Sequence, residues 1–233
     1  MPQKALSKVP IVVLIGGGSK LPAIIKAAKS KKSKFKISLV ISHKKSSPGI
    51  ELALKNKIPA VYFNLPDYRV RVYKERKEAR ANYGKTLGWF ISQKEYDPKL
   101  LVFAGWDLVM DKNFFNFFKC NFGNGLSAIN LHPALMPYPS EKRKITLPDD
   151  TKTPVIKGEQ QNVLEAVLKE RLTFFGPTVH FMKLSFDTGQ VINREFIRVK
   201  AGDTVDSLRK KLMPVEDRIL IKSINEVIRD CIK

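Results

Sequence analysis

The 233-residue chain is poor in the side chains that hold metals or build disulfide frameworks. It has two widely separated cysteines, Cys120 and Cys231, and three histidines, His43, His132 and His180. None of these residues has the close spacing typical of zinc ligands, and no two histidines are four residues apart. The sequence therefore predicts reduced thiols and no metal.

Long hydrophobic runs are also missing. A helix that crosses a bilayer needs about 20 consecutive apolar residues, and no stretch of the chain approaches that length. The N-terminal residues lead directly into an apolar strand, without the small-residue cleavage site of a secretory signal. We therefore expect a cytoplasmic protein with no membrane partner.

Acidic residues are scarce beside basic ones: 22 Asp and Glu against 42 Lys and Arg give a formal net charge of +20. Such an excess can mark a nucleic-acid partner, and it also favours anionic small molecules. The lysines are densest at 26–36 and 142–144, but aromatic residues do not interleave with them as in a base-stacking platform. We expect solvated lysine faces and small-molecule substrates rather than specific nucleic-acid binding, although salt-sensitive RNA binding is compatible with the charge.

Apolar strands alternate with helical patterns, which predicts an α/β class and a doubly wound, mostly parallel sheet. The length fits one domain, 1–233. The predicted strands are 9–15, 37–41, 60–63, 100–104 and the run to His132. One helix is predicted to begin near residue 21, and further helices to cover 50–57, 68–94, 111–119 and 160–171. The last predicted elements are a strand pair at 177–182 and 190–199 and a helix from 203, with Pro214 as a point of interruption. Residues 138–157, with three prolines and few apolar residues, are predicted to form an extended loop.

The strand at 9–15 ends in three glycines and Ser19, and a helical pattern follows. Glycines let backbone N–H groups turn inward and a helix N-terminus adds positive potential, so this loop can hold a phosphate. A tight strand-to-helix turn explains the same glycines equally well. The residues alone leave both interpretations open.

Asn130 and His132 stand two residues apart at the end of a predicted buried strand, so their side chains should project to the same side. An amide and an imidazole aimed at one atom can stabilise an oxyanion while protons move, which points to transfer at a carbonyl carbon. The alternative is a turn-capping Asn and a structural His. Asp187 follows later between two predicted strands, and polar residues at several strand ends are typical of a site at the rim of a parallel sheet.

Four segments resemble the folate-dependent formyltransferases. They are the strand and glycine loop at 12–21, the strand at 101–106, the Asn-x-His-Pro motif at 130–133 and the Asp-x-Gly turn at 187–189. The resemblance runs from about residue 10 to about 230, and it is to the branch that formylates glycinamide ribonucleotide. It implies a Rossmann-like formyltransferase fold, 10-formyltetrahydrofolate as co-substrate without a metal, and formyl transfer to glycinamide ribonucleotide in de novo purine biosynthesis; it also allows a homodimer.

The resemblance further implies roles for particular residues. The catalytic residues would be Asn130, His132 and Asp187, the substrate-binding residues Gly17, Gly18, Ser19, Lys20 and Glu216, and the folate-binding residues Trp106, Val109 and Met110. Asn130 and His132 would hold the oxyanion, while Asp187 would favour the charged form of His132 and help to move protons through water. His180 aligns with a family histidine near the site, and we expect it to have a structural, hydrogen-bonded role.

The chain departs from the family pattern in three places. Lys20 stands where the family usually has Asn, Asp107 stands where an apolar residue is usual, and the connection at 138–157 is much longer. We expect that segment to be a mobile surface flap beside the acceptor site. Because of this segment, an acceptor other than glycinamide ribonucleotide stays an alternative, such as the amine of an aminosugar nucleotide. A non-catalytic, RNA-associated protein on the same scaffold is the alternative from another class.

Overall fold

The computed structural model describes residues 8–64, 76–122, 125–141, 144–184 and 189–232. The chain divides into two compact units, the first Met1–Ile129 with Ile224–Lys233 and the second Asn130–Ser223. Asp187, Lys142 and Arg143 lie outside the described residues, as does the predicted start of a helix at 68.

The first unit is a parallel α/β arrangement. Its strands are β1 (Val9–Ile15), β2 (Phe35–Ser42), β3 (Ala60–Tyr62), β4 (Leu100–Ala104) and the start of β5 (Ala128–His132), and its helices are α1 (Leu21–Lys29), α2 (Pro48–Lys55), α3 (Arg76–Ile91) and α4 (Lys112–Phe115). The strand order is β5-β4-β1-β2-β3. β1 pairs in parallel with β2 and β4, and β2 pairs in parallel with β3, which confirms the predicted fold class.

Burial of the central strands explains why their sequences are continuously apolar. Every residue of β4 is buried, as is each residue of β1 from Ile11 onwards. Strands covered on both faces read as unbroken apolar runs. Phe114 and Phe115 of α4 pack against Phe103 of β4, with ring centroids 6.2 and 6.3 Å away, so the phenylalanine-rich stretch belongs to the core.

The order of these strands reverses beside β1. The chain passes from β1 to β2 and β3 on one side and then returns to β4 on the other side. In open α/β sheets, ligands bind outside the carboxyl ends of the strands at such a switch point. The residues that follow β1 and β4 are therefore expected to bind a ligand.

The second unit begins with the end of β5 and contains three antiparallel pairs. The strands are β6 (Lys144–Thr146) with β7 (Lys152–Pro154), β8 (Phe174–Phe175) with β11 (Ile197–Arg198), and β9 (Thr178–Phe181) with β10 (Val191–Arg194), and the order in its part of the sheet is β10-β9-β5. Helix α5 (Gln160–Lys169) lies within this unit, and α6 (Val205–Cys231) begins there. Pro214 lies inside α6 and does not interrupt it. No helix in the described ranges is both long and apolar enough to span a membrane.

The segment 138–157 differs from its prediction. It contains a 3₁₀ turn at Pro139–Glu141 and the β6–β7 hairpin, and Ile145 and Leu147 are buried in a cluster with Leu135. The expectation of an extended surface loop without core contacts is therefore wrong. The reason is that short strands need few apolar residues: side chains alternate across a strand, so single inward residues suffice to bury one face.

An ion pair attaches this segment to β10. Arg194 Nη2 donates to Glu141 Oε1 at 2.8 Å, and Nη1 contacts Glu141 Oε2 and donates to the Met136 carbonyl oxygen at 2.8 Å. The guanidinium carbon lies 4.4 Å from the ring centroid of Tyr138 and 5.1 Å from that of Phe196, within cation–π range. Both charged side chains are largely buried, 7% and 15% exposed, so the pair is shielded from solvent.

The same contacts determine how Glu141 titrates. The Arg194 guanidinium beside it, helped by the N–H groups of Tyr138 and Thr146, holds the pKa of the Glu141 carboxyl below its usual value, although burial acts in the opposite direction. A carboxyl with a lowered pKa in the folded state stabilises the fold above its unfolded pKa, and this stabilisation is lost as the pH falls through the folded pKa.

We expect Glu141→Gln to lower the free energy of unfolding by about 2 to 4 kcal/mol near neutral pH, because it leaves the Arg194 charge buried without its carboxylate. The difference from wild type should shrink as the pH falls below the usual glutamate pKa of about 4.3 and through the lower folded pKa of Glu141, because the wild-type carboxyl is then protonated as well. Urea unfolding at the two pH values measures this. The exposed Glu170→Gln control in the same unit should change stability by less than about 0.5 kcal/mol. A Glu141→Gln effect that is independent of pH contradicts the ion-pair explanation.

Candidate active site

The amide of Asn130 has a defined partner in the second unit. Asn130 and His132 both lie on β5, where Asn130 is half-buried and His132 is buried. Asn130 Nδ2 is 3.2 Å from Nε2 of His180, on β9. The structure thus brings His180, for which the sequence suggested only a structural role, into direct contact with a predicted catalytic residue.

The other ring nitrogen of His180 determines the direction of this hydrogen bond. His180 Nδ1 is 2.9 Å from the carbonyl oxygen of Phe181, which can only accept, so Nδ1 carries the proton. In the neutral ring Nε2 is then the acceptor, and it receives an N–H of Asn130. The amide is therefore held in one orientation.

Gly189, of the Asp-x-Gly turn, lies against the same pair of residues. A Cβ at Gly189 would lie 1.5 Å from the Phe181 carbonyl oxygen and 3.1 Å from His180 Nδ1. Phe181 N donates to Gln190 O at 2.9 Å, which keeps the backbones this close. Only glycine fits at position 189. Because it has no side chain, His180 Nδ1 can approach the carbonyl oxygen of Phe181.

Glu216, the predicted ribonucleotide contact, lies on α6 and is 2% exposed. Gln160 Nε2 is 3.2 Å from its Oε1 and 3.5 Å from its Oε2. The carboxylate is thus fixed by α5 through an amide donor. A carboxylate only accepts hydrogen bonds, so the hydroxyl of a ligand is a suitable donor to it.

The glycine loop of the first unit is exposed at Gly17 and Ser19 and buried at Gly18. Gly18 has a φ of +90°, in the region that favours glycine, and a Cβ there would lie 2.7 Å from Gly49 Cα. A Cβ at Gly17 would meet nothing within 4 Å. The loop therefore needs glycine at 18 for its fold, whereas nothing in the packing requires glycine at 17.

The loop is fixed through its carbonyl groups. Gly16 O accepts from the hydroxyls of Ser42 and Ser47, both at 2.8 Å, and Gly17 O accepts from Gly49 N at 3.1 Å. Backbone N–H groups are the donors that an anion would use at the start of a helix. Lys20, at the start of α1, is 4% exposed, so its side chain is buried rather than presented to solvent.

The predicted folate wall follows β4. Trp106 and Met110 are buried and Val109 is half-buried. The Trp106 ring lies edge-on to His43, with centroids 4.8 Å apart, and its indole N–H is buried without a hydrogen-bond partner among the described residues. This wall combines apolar surface with one unused donor.

A charged cluster next to this wall brings Asp107 together with His43 and Lys44, which the sequence did not predict. His43 Nε2 is 2.8 Å from Asp107 Oδ1, without the alignment of a hydrogen bond, and Lys44 Nζ is 3.1 Å from Asp107 Oδ2. Burial lowers the pKa of His43; Asp107 acts against this and Lys44 adds to it. His43 is therefore neutral near pH 7. The available signal was position, since these residues directly follow β2 and β4.

Among the described residues no group of three or more His, Cys, Asp or Glu side chains could hold a metal ion. Within the described ranges, the predicted site residues and His180 instead supply an amide, imidazoles, a carboxylate with an amide partner and a glycine loop. These groups can donate to an oxyanion, hold an anion and move protons.

Comparisons with known proteins agree with this chemistry. The family model for formyl transferase matches residues 9–224. The phosphoribosylglycinamide formyltransferase of Dictyostelium discoideum is 31% identical over 215 residues, 91% of this chain and 94% of that protein. The trifunctional purine biosynthetic protein adenosine-3 of Bos taurus is 28% identical over 227 residues, 97% of this chain but 19% of that protein, so the chain spans about a fifth of its length.

The fold is shared with a solved structure. The crystal structure of glycinamide ribonucleotide transformylase 1 from Geobacillus kaustophilus matches with a TM-score of 0.73 at 18% identity, covering 94% of this chain and 98% of that one. At this identity the match shows the fold, while the family model and the Dictyostelium relative show the family. The chain therefore belongs to the formyl transferase family, and within it to the phosphoribosylglycinamide formyltransferases.

Proposed function

We propose that the chain transfers the formyl group of 10-formyltetrahydrofolate to the amine of glycinamide ribonucleotide. The observation that carries the proposal, together with the family, is the contact of Asn130 Nδ2 with His180 Nε2, which orients the amide on the strand that also bears His132. A fixed amide donor beside an imidazole is what a tetrahedral intermediate at a formyl carbon requires.

The reaction is balanced without a covalent enzyme intermediate. The acceptor nitrogen attacks the formyl carbon, the carbonyl electron pair moves to oxygen, and the intermediate collapses with loss of N10 of tetrahydrofolate. One proton leaves the attacking amine and one reaches N10. Asn130 and His132 stabilise the oxyanion, and Asp187 favours the protonated form of His132 and supports proton transfer.

The remaining predicted residues bind the two substrates. The glycine loop binds the acceptor phosphate through the backbone N–H groups of Gly17, Gly18, Ser19 and Lys20, and Glu216 binds the ribose part. Trp106, Val109 and Met110 provide the apolar surface for the folate. The enzyme acts in the cytoplasm in purine synthesis, on small molecules and without a metal.

Turnover with defined acceptors tests the proposal. Purified protein is mixed with 10-formyltetrahydrofolate and either glycinamide ribonucleotide or an aminosugar nucleotide, and the formylated product is identified by mass spectrometry. We expect product only with glycinamide ribonucleotide. Formylation of the aminosugar nucleotide alone would reassign the acceptor, and no formylation of either would contradict the proposed activity.

The oxyanion role of Asn130 predicts a loss that is confined to the chemical step. We expect Asn130→Ala to reduce kcat by roughly 10²- to 10³-fold, the effect of removing one preorganised donor. Acceptor KM should change little, because the donor acts mainly in the transition state. Steady-state kinetics measure both constants. The exposed Asn162→Ala of the same unit serves as a control and should match wild type.

His180 is proposed as a positioning residue that acts through Asn130. We expect His180→Ala to lower kcat with little change in KM, since the amide loses its fixed orientation. The double variant with Asn130→Ala should be hardly slower than Asn130→Ala alone, because residues in one hydrogen-bonded unit are not additive. Fully multiplicative losses would show that His180 acts independently of Asn130.

Substitution of the exposed Gly17 and of the buried Gly18 should have different effects on the protein. We expect Gly17→Val to raise the KM for glycinamide ribonucleotide without lowering the melting temperature, since it crowds the anion site but nothing else. Gly18→Val should destabilise the protein, because its Cβ would collide with Gly49 in a left-handed backbone conformation. Kinetics and thermal unfolding separate the two effects. An unchanged KM in Gly17→Val would make the loop only a turn.

A further inference from the structure

We propose that Lys44 is a ligand of the acceptor phosphate and that Asp107 holds it beside the glycine loop until the phosphate arrives. The inference rests on the proposed function, because it concerns the acceptor of that reaction. It assigns a specificity-determining role to a charged cluster at the ends of β2 and β4.

The ammonium group of Lys44 lies next to the glycine loop. A Cβ built on Gly16 would lie 3.4 Å from Lys44 Nζ, so the ammonium group lies directly beside the residue that precedes Gly17. The Lys44 side chain is 52% exposed, whereas Lys20, the lysine next to the loop in sequence, is buried. Of these two lysines in the described part of the chain, Lys44 is thus the one whose ammonium group an anion on the loop can reach.

An ion pair holds Lys44 in this position. Its ammonium pairs with one oxygen of Asp107 at 3.1 Å, and the other oxygen faces His43 at 2.8 Å. Asp107 is 34% exposed and His43 only 7%. The carboxylate therefore fixes the lysine from the buried side and leaves its outer side to solvent.

The charge balance of the cluster would change when a phosphate binds. The charged groups that act on His43 are Asp107, after β4, and Lys44, on the connection from β2 to α2; the adjoining Ser42 and Ser47 are uncharged. With His43 neutral, the lysine and the carboxylate sum to zero. A phosphate dianion that draws Lys44 away adds negative charge and leaves Asp107 less compensated. Both changes favour protonation of His43, so phosphate binding should be accompanied by proton uptake.

The first experiment compares two probes by titration calorimetry. Glycinamide ribonucleotide and the corresponding nucleoside without phosphate are titrated into wild type, Lys44→Gln and Lys45→Gln. We expect Lys44→Gln to lose roughly 10- to 100-fold in affinity for the phosphorylated probe, as for a hydrogen bond to a charged group, and to bind the nucleoside as wild type does. Lys45→Gln removes the same charge from an exposed neighbour and should change neither affinity by more than about twofold.

The second experiment measures protons. Calorimetry in two buffers of different ionisation enthalpy, near pH 6.5, gives the number of protons taken up with glycinamide ribonucleotide. On binding, wild type should take up a fraction of a proton, and this uptake should be missing in His43→Gln. Asp107→Asn should abolish the same proton uptake. Because Asp107 is partly exposed, this second variant gives a result that does not depend on whether the buried His43→Gln variant folds correctly. A merely structural cluster would not change this number.

Defined results overturn the inference. These are equal losses for both probes in Lys44→Gln, an equal effect of Lys45→Gln, or the same proton uptake in all variants. If wild type binds neither probe, the proposed acceptor is wrong while Lys44 is still tested, because inorganic phosphate is then titrated into the same proteins. Weaker phosphate binding by Lys44→Gln than by Lys45→Gln supports the inference, and equal binding contradicts it.

Discussion

Close backbone approach at the end of β1 is the constraint on which the site of the first unit depends. A Cβ on Gly16 would lie 2.6 Å from the carbonyl oxygen of Gly105, and one on Gly18 would lie 2.7 Å from Gly49 Cα. The end of β4 and the start of α2 can therefore reach the loop after β1. Because charged residues follow β2 and β4 within a few positions, the same packing puts an ion pair beside the loop. The absence of side chains at Gly16 and Gly18 thus determines where the charges lie.

The second unit achieves its polar geometry in a related way. The Phe181 carbonyl, which can only accept, fixes the proton on His180, and the remaining ring nitrogen then fixes the Asn130 amide. Gly189 gives the backbone room for this arrangement. A chain of hydrogen bonds thus runs from an ordinary main-chain group to the amide proposed to hold the oxyanion. Preorganisation of this kind is effective because no group has to turn during the reaction.

Patterns of local origin could be predicted from the sequence. The continuous apolar runs of β1 and β4 and the glycine turn after β1 predicted a parallel sheet, because burial on both faces and a tight turn leave a clear trace in a few adjacent residues. The β6–β7 hairpin could not be predicted, since Ile145 and Leu147 are too few to show a period. Its attachment depends on the Glu141–Arg194 pair, whose members are 53 residues apart.

In the candidate site, too, local features could be predicted from the sequence and long-range contacts could not. Asn130 and His132 share a strand, so their proximity follows from spacing, whereas the contact with His180 spans 50 residues. Likewise Lys20 was expected at the loop because it is adjacent in sequence, but it is buried at the helix start, and Lys44 lies beside the loop instead. Adjacency along the chain is a poor guide to which long side chain reaches a site, because lysine directs its ammonium several ångströms from its backbone.

The net charge of +20 gives the Asp107 carboxylate a particular importance. A strongly positive protein attracts anions of every kind, including RNA, and a free lysine at the loop would add to that indiscriminate attraction. Pairing Lys44 with Asp107 makes the local charge near zero, so an anion must compete with a carboxylate for the ammonium group. A ligand that also makes loop, ribose and amine contacts can offset that competition, whereas an isolated anion cannot. The general field then increases the encounter rate with anionic substrates, and the ion pair restricts which of them stay bound.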